Sequence, residues 1–237
     1  MTDIALPALE LNPRPAFERR AIGNDNNIVL VVDDALLNPE VLVASAERAA
    51  FDAPPPKSFY PGLTAPAPAP YLEMIASEMR LMMTQLFGMK PASPAQTYGF
   101  FGLATIATDA FSPAQRAPHT DSFRLNSFAS VHYLSHAPFG GTAFYRHKAT
   151  GCELVTPIRS DKYMRTRRQE LAELDGQPAS AIDGLYEEIG YVEAKFNRLV
   201  FYRAGQLHRS RLDETPLTTD PKTGRLTANM FFNTEGL

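Results

Sequence analysis

The chain has 237 residues, 44% of them hydrophobic, with a formal charge of −3 and an isoelectric point near 6.0. Such a chain can bury a core and is not a disordered one, and its charge gives no footing for nucleic acid. Cys152 is the single cysteine, which excludes a disulfide framework and a thiolate zinc site.

Residues 1–27 are polar and broken by Pro7, Pro13 and Pro15, and read as a loose N-terminal arm. They contain neither the basic nor the apolar segment of a signal peptide. No run approaches the roughly eighteen apolar residues of a membrane span. A cytoplasmic protein with no membrane partner is the expectation. "IVLVVDDAL" (28–36) is a short β-branched run that reads as a buried strand. Asn38 and Pro39 then look like an N-cap and first helical position for a helix over 39–51. The proline-rich connector 53–70 carries Phe59, Tyr60 and Leu63, too apolar for a pure spacer, so it is expected to drape over the domain. Residues 71–87 space Leu72, Ile75, Met79, Met82, Met83 and Leu86 as one face of a packed helix.

From residue 97 the apolar period becomes two. Strands are predicted at 97–107, 126–134, 141–147, 198–203, 207–212 and 225–233, mostly separated by Gly, Pro or Asp clusters. A charged insertion at about 155–190 reads as helical. Helices followed by strands predict a mainly β, α+β fold in which 28–237 form one domain, its β-core buttressed by the N-terminal helices.

"PHTDSF" (118–123) sets His119 and Asp121 two apart, on one side of an extended segment. Alone this allows a metal site, an acid–base pair or a surface loop. His208 lies after a strong strand and an Ala-Gly turn, and Arg225 opens the last strand. Two imidazoles and one carboxylate form the facial triad of non-haem iron(II) sites, which leaves three positions open. His132 alternates away from Tyr133 and reads as structural, and His136 as a solvated turn residue. Arg146 and His147 end a strand and are candidate substrate contacts. Tyr60, with Pro61 and Gly62, forms a turn that is a candidate lid over the site.

Five stretches, "PHTD", "SVHYLS", "FGGTAFYRH", "NRLVFYRAGQLHRS" and "GRLTANMFFN", together spanning about 118–233, resemble the 2-oxoglutarate- and Fe(II)-dependent oxygenases of the prolyl-4-hydroxylase-like group, in a bacterial branch of it. The resemblance implies a double-stranded β-helix (jelly roll). It also implies hydroxylation of a C–H bond of an amino-acid, peptide or small-metabolite substrate, as 2-oxoglutarate becomes succinate and carbon dioxide. By the same resemblance His119, Asp121 and His208 are the catalytic iron ligands and Arg225 binds the distal carboxylate of 2-oxoglutarate. Tyr133 hydrogen-bonds that cosubstrate, and Thr227 and Asn229 alternate inward beside Arg225. The glycines of "GGT" (140–142) permit close backbone approach. The presence of Asp121 argues against halogenation. The gap from His208 to Arg225 is longer than the family's pattern, and its "DETPLTTDPKTG" reads as a lengthened hairpin loop. Arg209 and Arg211 are the alternatives to Arg225. Two competing readings are a non-catalytic jelly-roll metal-binding or interaction module and a cupin-like metalloenzyme that does not use 2-oxoglutarate.

Overall fold

In the computed structural model, which describes residues 7–55, 58–87, 96–212 and 215–233, ten strands form two sheets. The first half holds β1 (Ala16–Ile22), β2 (Asn27–Asp33), α1 (Pro39–Glu47), β3 (Gly62–Pro66), α2 (Ala69–Phe87), β4 (Gln96–Ala104) and α3 (Pro113–Arg116). The second half holds β5 (Ser127–Tyr133), β6 (Gly141–His147), α4 (Pro157–Glu173), β7 (Tyr186–Glu193), β8 (Arg198–Arg203), β9 (His208–Arg211) and β10 (Arg225–Asn233). The large sheet runs β1-β2-β8-β5-β10-β4-β3 and the small one β7-β6-β9, with every pairing antiparallel.

Period-two alternation divides each strand of the large sheet between two environments. Leu30, Val32, Phe128, Leu199, Phe201, Leu226 and Met230 face Leu42 of α1 and Tyr71, Ile75, Met79 and Met83 of α2. Their neighbours Val29, Val31, Ala129, Tyr133, Val200 and Tyr202 face the other way, against Phe144 and Val192 of the small sheet. The outer face of the small sheet buries Ala143 and Tyr145 against Tyr163 of α4 and Ile182. Two facing antiparallel sheets, closed by helices on both outer faces, make the double-stranded β-helix expected from the sequence.

Three local expectations are corrected. Residues 16–22 of the expected arm form β1, an edge strand paired with β2, while residues 1–6 lie outside the described residues. β1 is mostly exposed and carries Glu18, Arg19 and Arg20, so it has no apolar period to detect, and such charges suit an edge. The insertion is helical through α4 and a 3-10 turn (Ala179–Leu185), but Tyr186–Glu193 pair with β6. The acidic "YEEIGYVE" resembles a helix surface, and only its partner strand makes it β. Asn38 does not cap α1 with its side chain. Its Oδ1 accepts from the Glu10 amide at 2.9 Å, and its Nδ2 donates to Ala8 O, also at 2.9 Å.

The connector contributes β3, which pairs with β4 and closes the edge of the large sheet. Residues 56 and 57 of that connector lie outside the described residues. Among the described residues no helix is long and apolar enough to cross a membrane.

Candidate metal centre

The first ligand pair is built by backbone. His119 and His208 form an isolated antiparallel bridge that extends the small sheet past β9. The Asp121 amide then donates to Ala204 O at 2.8 Å, which fixes the carboxylate-bearing residue against the turn between β8 and β9. One ligand atom each from His119, Asp121 and His208 falls within 4.8 Å of the others. His119 Nε2 stands 3.7 Å from Asp121 Oδ1, and His208 Nε2 stands 3.5 Å from Asp121 Oδ2.

The tautomer at His208 is set by its surroundings. Its Nδ1 lies 2.9 Å from Gln206 O and donates to it, which leaves Nε2 with a free lone pair facing Asp121. Tyr202 packs edge-on against the His208 ring at 4.8 Å and Phe144 against Tyr202 at 5.2 Å, so the imidazole is walled in. The exposure of the three side chains is graded, 50% for His119, 16% for Asp121 and 8% for His208, so the centre opens to solvent on the His119 side.

Electrostatics favour a cation at this spot. Removal from water pushes the Asp121 carboxyl above the ordinary aspartate range, offset only by His208. Crowding by protein atoms, with further contributions from His208, Arg167 and Arg209, holds His119 well below the ordinary histidine range even though half its side chain reaches solvent. The result is a neutral imidazole beside a carboxyl group whose ion-pair contacts among the described residues are the two imidazoles alone. That donor set fits a divalent first-row metal with open positions.

The barrel interior continues from the metal trio to Arg225. Arg225, Thr227 and Asn229 share the inner face of β10, as alternation requires, because Leu226, Ala228 and Met230 belong to the helix-side core. Arg225 is buried. Its Nε donates to Phe139 O at 3.1 Å and Nη2 to Gly141 O at 3.3 Å, and among the described residues no carboxylate pairs with it. Its guanidinium carbon stands 5.9 Å from the centre of the Tyr133 ring, and Tyr133 Oη shares a 2.6 Å hydrogen bond with Thr142 Oγ1. Thr227 Oγ1 donates to Gly102 O at 3.3 Å and accepts from Asn229 Nδ2 at 3.0 Å.

Tyr60 reaches the same place from the connector. Its hydroxyl is buried beside Arg225 and Thr227, in the space a side chain on Gly102 would fill. Tyr60 therefore stands at the Arg225 end of the interior, and the lid expected over the metal mouth is instead a wall at the opposite end. A buried guanidinium without a carboxylate partner and a buried hydroxyl beside it together make a site suited to an anion.

Two expected substrate residues are committed elsewhere. Arg146 donates through Nε to Glu153 Oε1 at 2.8 Å and through Nη1 to Glu187 Oε2 at 2.7 Å. His147, fully buried on the opposite face of β6 from Phe144, lies 2.6 Å from Glu170 and 2.8 Å from Thr150. Neither reaches the metal trio, because a strand end says nothing about which ion pair will claim its side chain. Arg209 and Arg211 are likewise tied to Asp183 and Glu188, on the outer face of the small sheet, which leaves Arg225 as the inward arginine. Thr142 and Gln206 are site residues that the sequence did not single out, and Tyr202, expected as a core or sheet aromatic, is one that also packs on His208. For Thr142 the signal was its period-two register with Phe144.

A family model described as "Family of unknown function (DUF6445)" matches residues 13–232, from ahead of β1 into β10. The chain belongs to DUF6445. Among solved structures, this DUF6445 chain is similar to HygX from Streptomyces hygroscopicus with nickel, 2-oxoglutarate and hygromycin B bound, at 15% identity and a TM-score of 0.48, covering 91% of this chain and 87% of that one. HygX with nickel and 2-oxoglutarate bound gives 14% identity, a TM-score of 0.45 and coverages of 89% and 84%. HygX with iron bound gives 12% identity, a TM-score of 0.45 and coverages of 89% and 83%. No curated protein matches by sequence.

Proposed function

We propose that this DUF6445 chain is an iron(II)- and 2-oxoglutarate-dependent oxygenase that hydroxylates a C–H bond of a small-molecule or peptide substrate. The observation that carries the reading is a buried Arg225 without a carboxylate partner, inside the barrel that also holds the His119–Asp121–His208 trio. A metal trio alone suits many hydrolases and cupin-like proteins. The addition of an inward, unpaired guanidinium calls for a cosubstrate with an anionic tail.

His119, Asp121 and His208 would hold the iron, and iron(II) with 2-oxoglutarate and dioxygen supplies an oxidation in which 2-oxoglutarate becomes succinate and carbon dioxide as the substrate gains a hydroxyl. The Gln206 carbonyl keeps the proton of His208 on Nδ1, so Nε2 is always presented as a donor. Arg225 and the Tyr60 hydroxyl would hold the distal carboxylate of 2-oxoglutarate, and the Tyr133–Thr142 hydroxyl pair lines the same end. Thr227 and Asn229 support that wall through their mutual hydrogen bond. Phe144 and Tyr202 exclude water from behind His208.

The test is succinate release from 2-oxoglutarate by the iron(II)-loaded protein in air, with and without candidate substrates. Release that depends on Asp121 and Arg225 supports the proposal. Tight metal binding with no 2-oxoglutarate binding and no succinate would assign the chain to the cupin-like or non-catalytic alternatives.

A further inference from the structure

Beside Asp121, on the flank away from Arg225, lies a cavity of about 220 Å3. Tyr98 of β4 and Phe231 of β10 line it, and their rings stack at 4.8 Å with an interplanar angle of 19°. Tyr98 keeps 55% of its surface exposed, an unusual cost for an aromatic side chain in a chain that buries most of its others. Phe100 stacks on Phe231 at 6.1 Å, so the aromatic wall continues along the inner face of the large sheet.

Arg124 also lines the cavity, and among the described residues no carboxylate pairs with it. Asp121 is the one acid among the described residues lining the cavity, and in the oxygenase reading its charge belongs to the metal. The cavity beside Asp121 thus carries the Tyr98–Phe231 stack on one wall and Arg124 on its rim, with Ser122, Ser127 and Asn233 adding polar groups to its lining.

We infer that the cavity lined by Tyr98, Phe231 and Arg124 takes the substrate, and that the substrate is a small carboxylate with a flat apolar body. The inference rests on the oxygenase reading and narrows it to a substrate class. The apolar body lies against Tyr98 and Phe231 while the carboxylate pairs with the Arg124 guanidinium, for which a planar two-oxygen anion is the best-matched partner. That placement sets the body of the molecule beside Asp121, the member of the trio that lines the cavity. The cavity suits a molecule of about amino-acid size and excludes a bulky oligosaccharide from full burial.

The test measures binding by calorimetry and saturation-transfer NMR on the full chain loaded with nickel(II) and 2-oxoglutarate, using phenylacetate, phenylacetamide and benzylamine as probes. Phenylacetate should bind about tenfold or more tighter than the other two. Arg124→Gln should erase that preference, Arg124→Lys should keep part of it, and Tyr98→Ala should weaken phenylacetate and phenylacetamide by similar factors. Equal binding of the three probes, or a preference that survives Arg124→Gln, would overturn the inference. So would a fall in 2-oxoglutarate affinity in Arg124→Gln that is absent from Arg225→Gln, because the anion at Arg124 would then be the cosubstrate. Nickel and 2-oxoglutarate binding are titrated separately in the same samples. Loss of those two with the phenylacetate preference intact counts against the oxygenase reading and for the carboxylate subsite.

Discussion

His119 and His208 hold each other by backbone alone, the amide of each donating to the carbonyl of the other at 2.9 and 3.0 Å. Two candidate ligands far apart in sequence are therefore held together by hydrogen bonds that an alanine substitution leaves in place. His119→Ala or Asp121→Ala should leave the folded structure intact while weakening metal binding by at least about 100-fold. Calorimetric titration with manganese(II), alongside circular dichroism of the same variants, checks both halves of that expectation.

Arg225 separates the oxygenase reading from other metal-centred readings. Arg225→Gln should weaken 2-oxoglutarate binding by roughly 10- to 100-fold, the range for losing a charged hydrogen-bonded partner, while metal affinity stays unchanged. Arg225→Lys should rescue little, since an ammonium cannot present two parallel donors. Tyr60→Phe should cost about tenfold or less in the same titration, because one hydroxyl is lost and the charge remains. A titration of 2-oxoglutarate into the manganese-loaded variants reads all three.

His132 gives the fold a pH dependence that is separable from the site. Burial holds its pKa down to about 4, partly opposed by a hydrogen bond to Asn197, and the neutral ring is satisfied on both sides by Tyr71 and Asn197. A depressed histidine supports the folded state fully above its ordinary value of about 6.5. Below that pH the unfolded chain takes up the proton first, and stability declines as pH falls toward about 4. The loss approaches about 3 kcal/mol over that window. Urea unfolding at several pH values should show it in the native chain, and His132→Gln should remove the His132 share of that slope and leave the share of the likewise depressed His119.

Glu153 is the buried acid that ties the β1–β2 turn to β6. It accepts from the Asn24 and Asp25 amides at 2.9 and 3.0 Å and from Arg146 Nε at 2.8 Å. Glu153→Ala should cost about 3–5 kcal/mol of stability, since these donors, with Asn27 Nδ2 and Arg146 Nη2, are left without their acceptor. Metal affinity should change little. Arg146→Ala leaves Glu153 the Asn24 and Asp25 amides and Asn27 Nδ2 as donors and should cost less, which denaturant titration of both variants would show.

Most of the core strands were legible because they rest on short-range rules, whereas the grouping of His208 with His119 and Asp121, which the structure brings together, was expected from the family resemblance. Alternation in "RLTANMFFN" sends Arg225, Thr227 and Asn229 to one side whatever the rest of the chain does. The two-residue spacing of His119 and Asp121 works the same way. What escaped depends on partners that are distant in sequence. β1 and β7 are strands only because β2 and β6 offer them edges, and their own charged sequences carry no apolar period. The place of Tyr60 at the Arg225 end follows from β3 pairing with β4, with Gly62 opposite Ala104. The commitment of Arg146 and His147 to Glu153 and Glu170 required knowing which acids fold against β6.

The central claim is that one iron(II) and one 2-oxoglutarate sit together between the His119–Asp121–His208 trio and Arg225. Anaerobic addition of 2-oxoglutarate to the iron(II)-loaded protein tests it most directly by visible absorption spectroscopy. The account predicts a weak metal-to-ligand charge-transfer band that appears with stoichiometric 2-oxoglutarate, is absent from Asp121→Ala and needs far more 2-oxoglutarate in Arg225→Gln. Iron(II) binding with no band at saturating 2-oxoglutarate would contradict it.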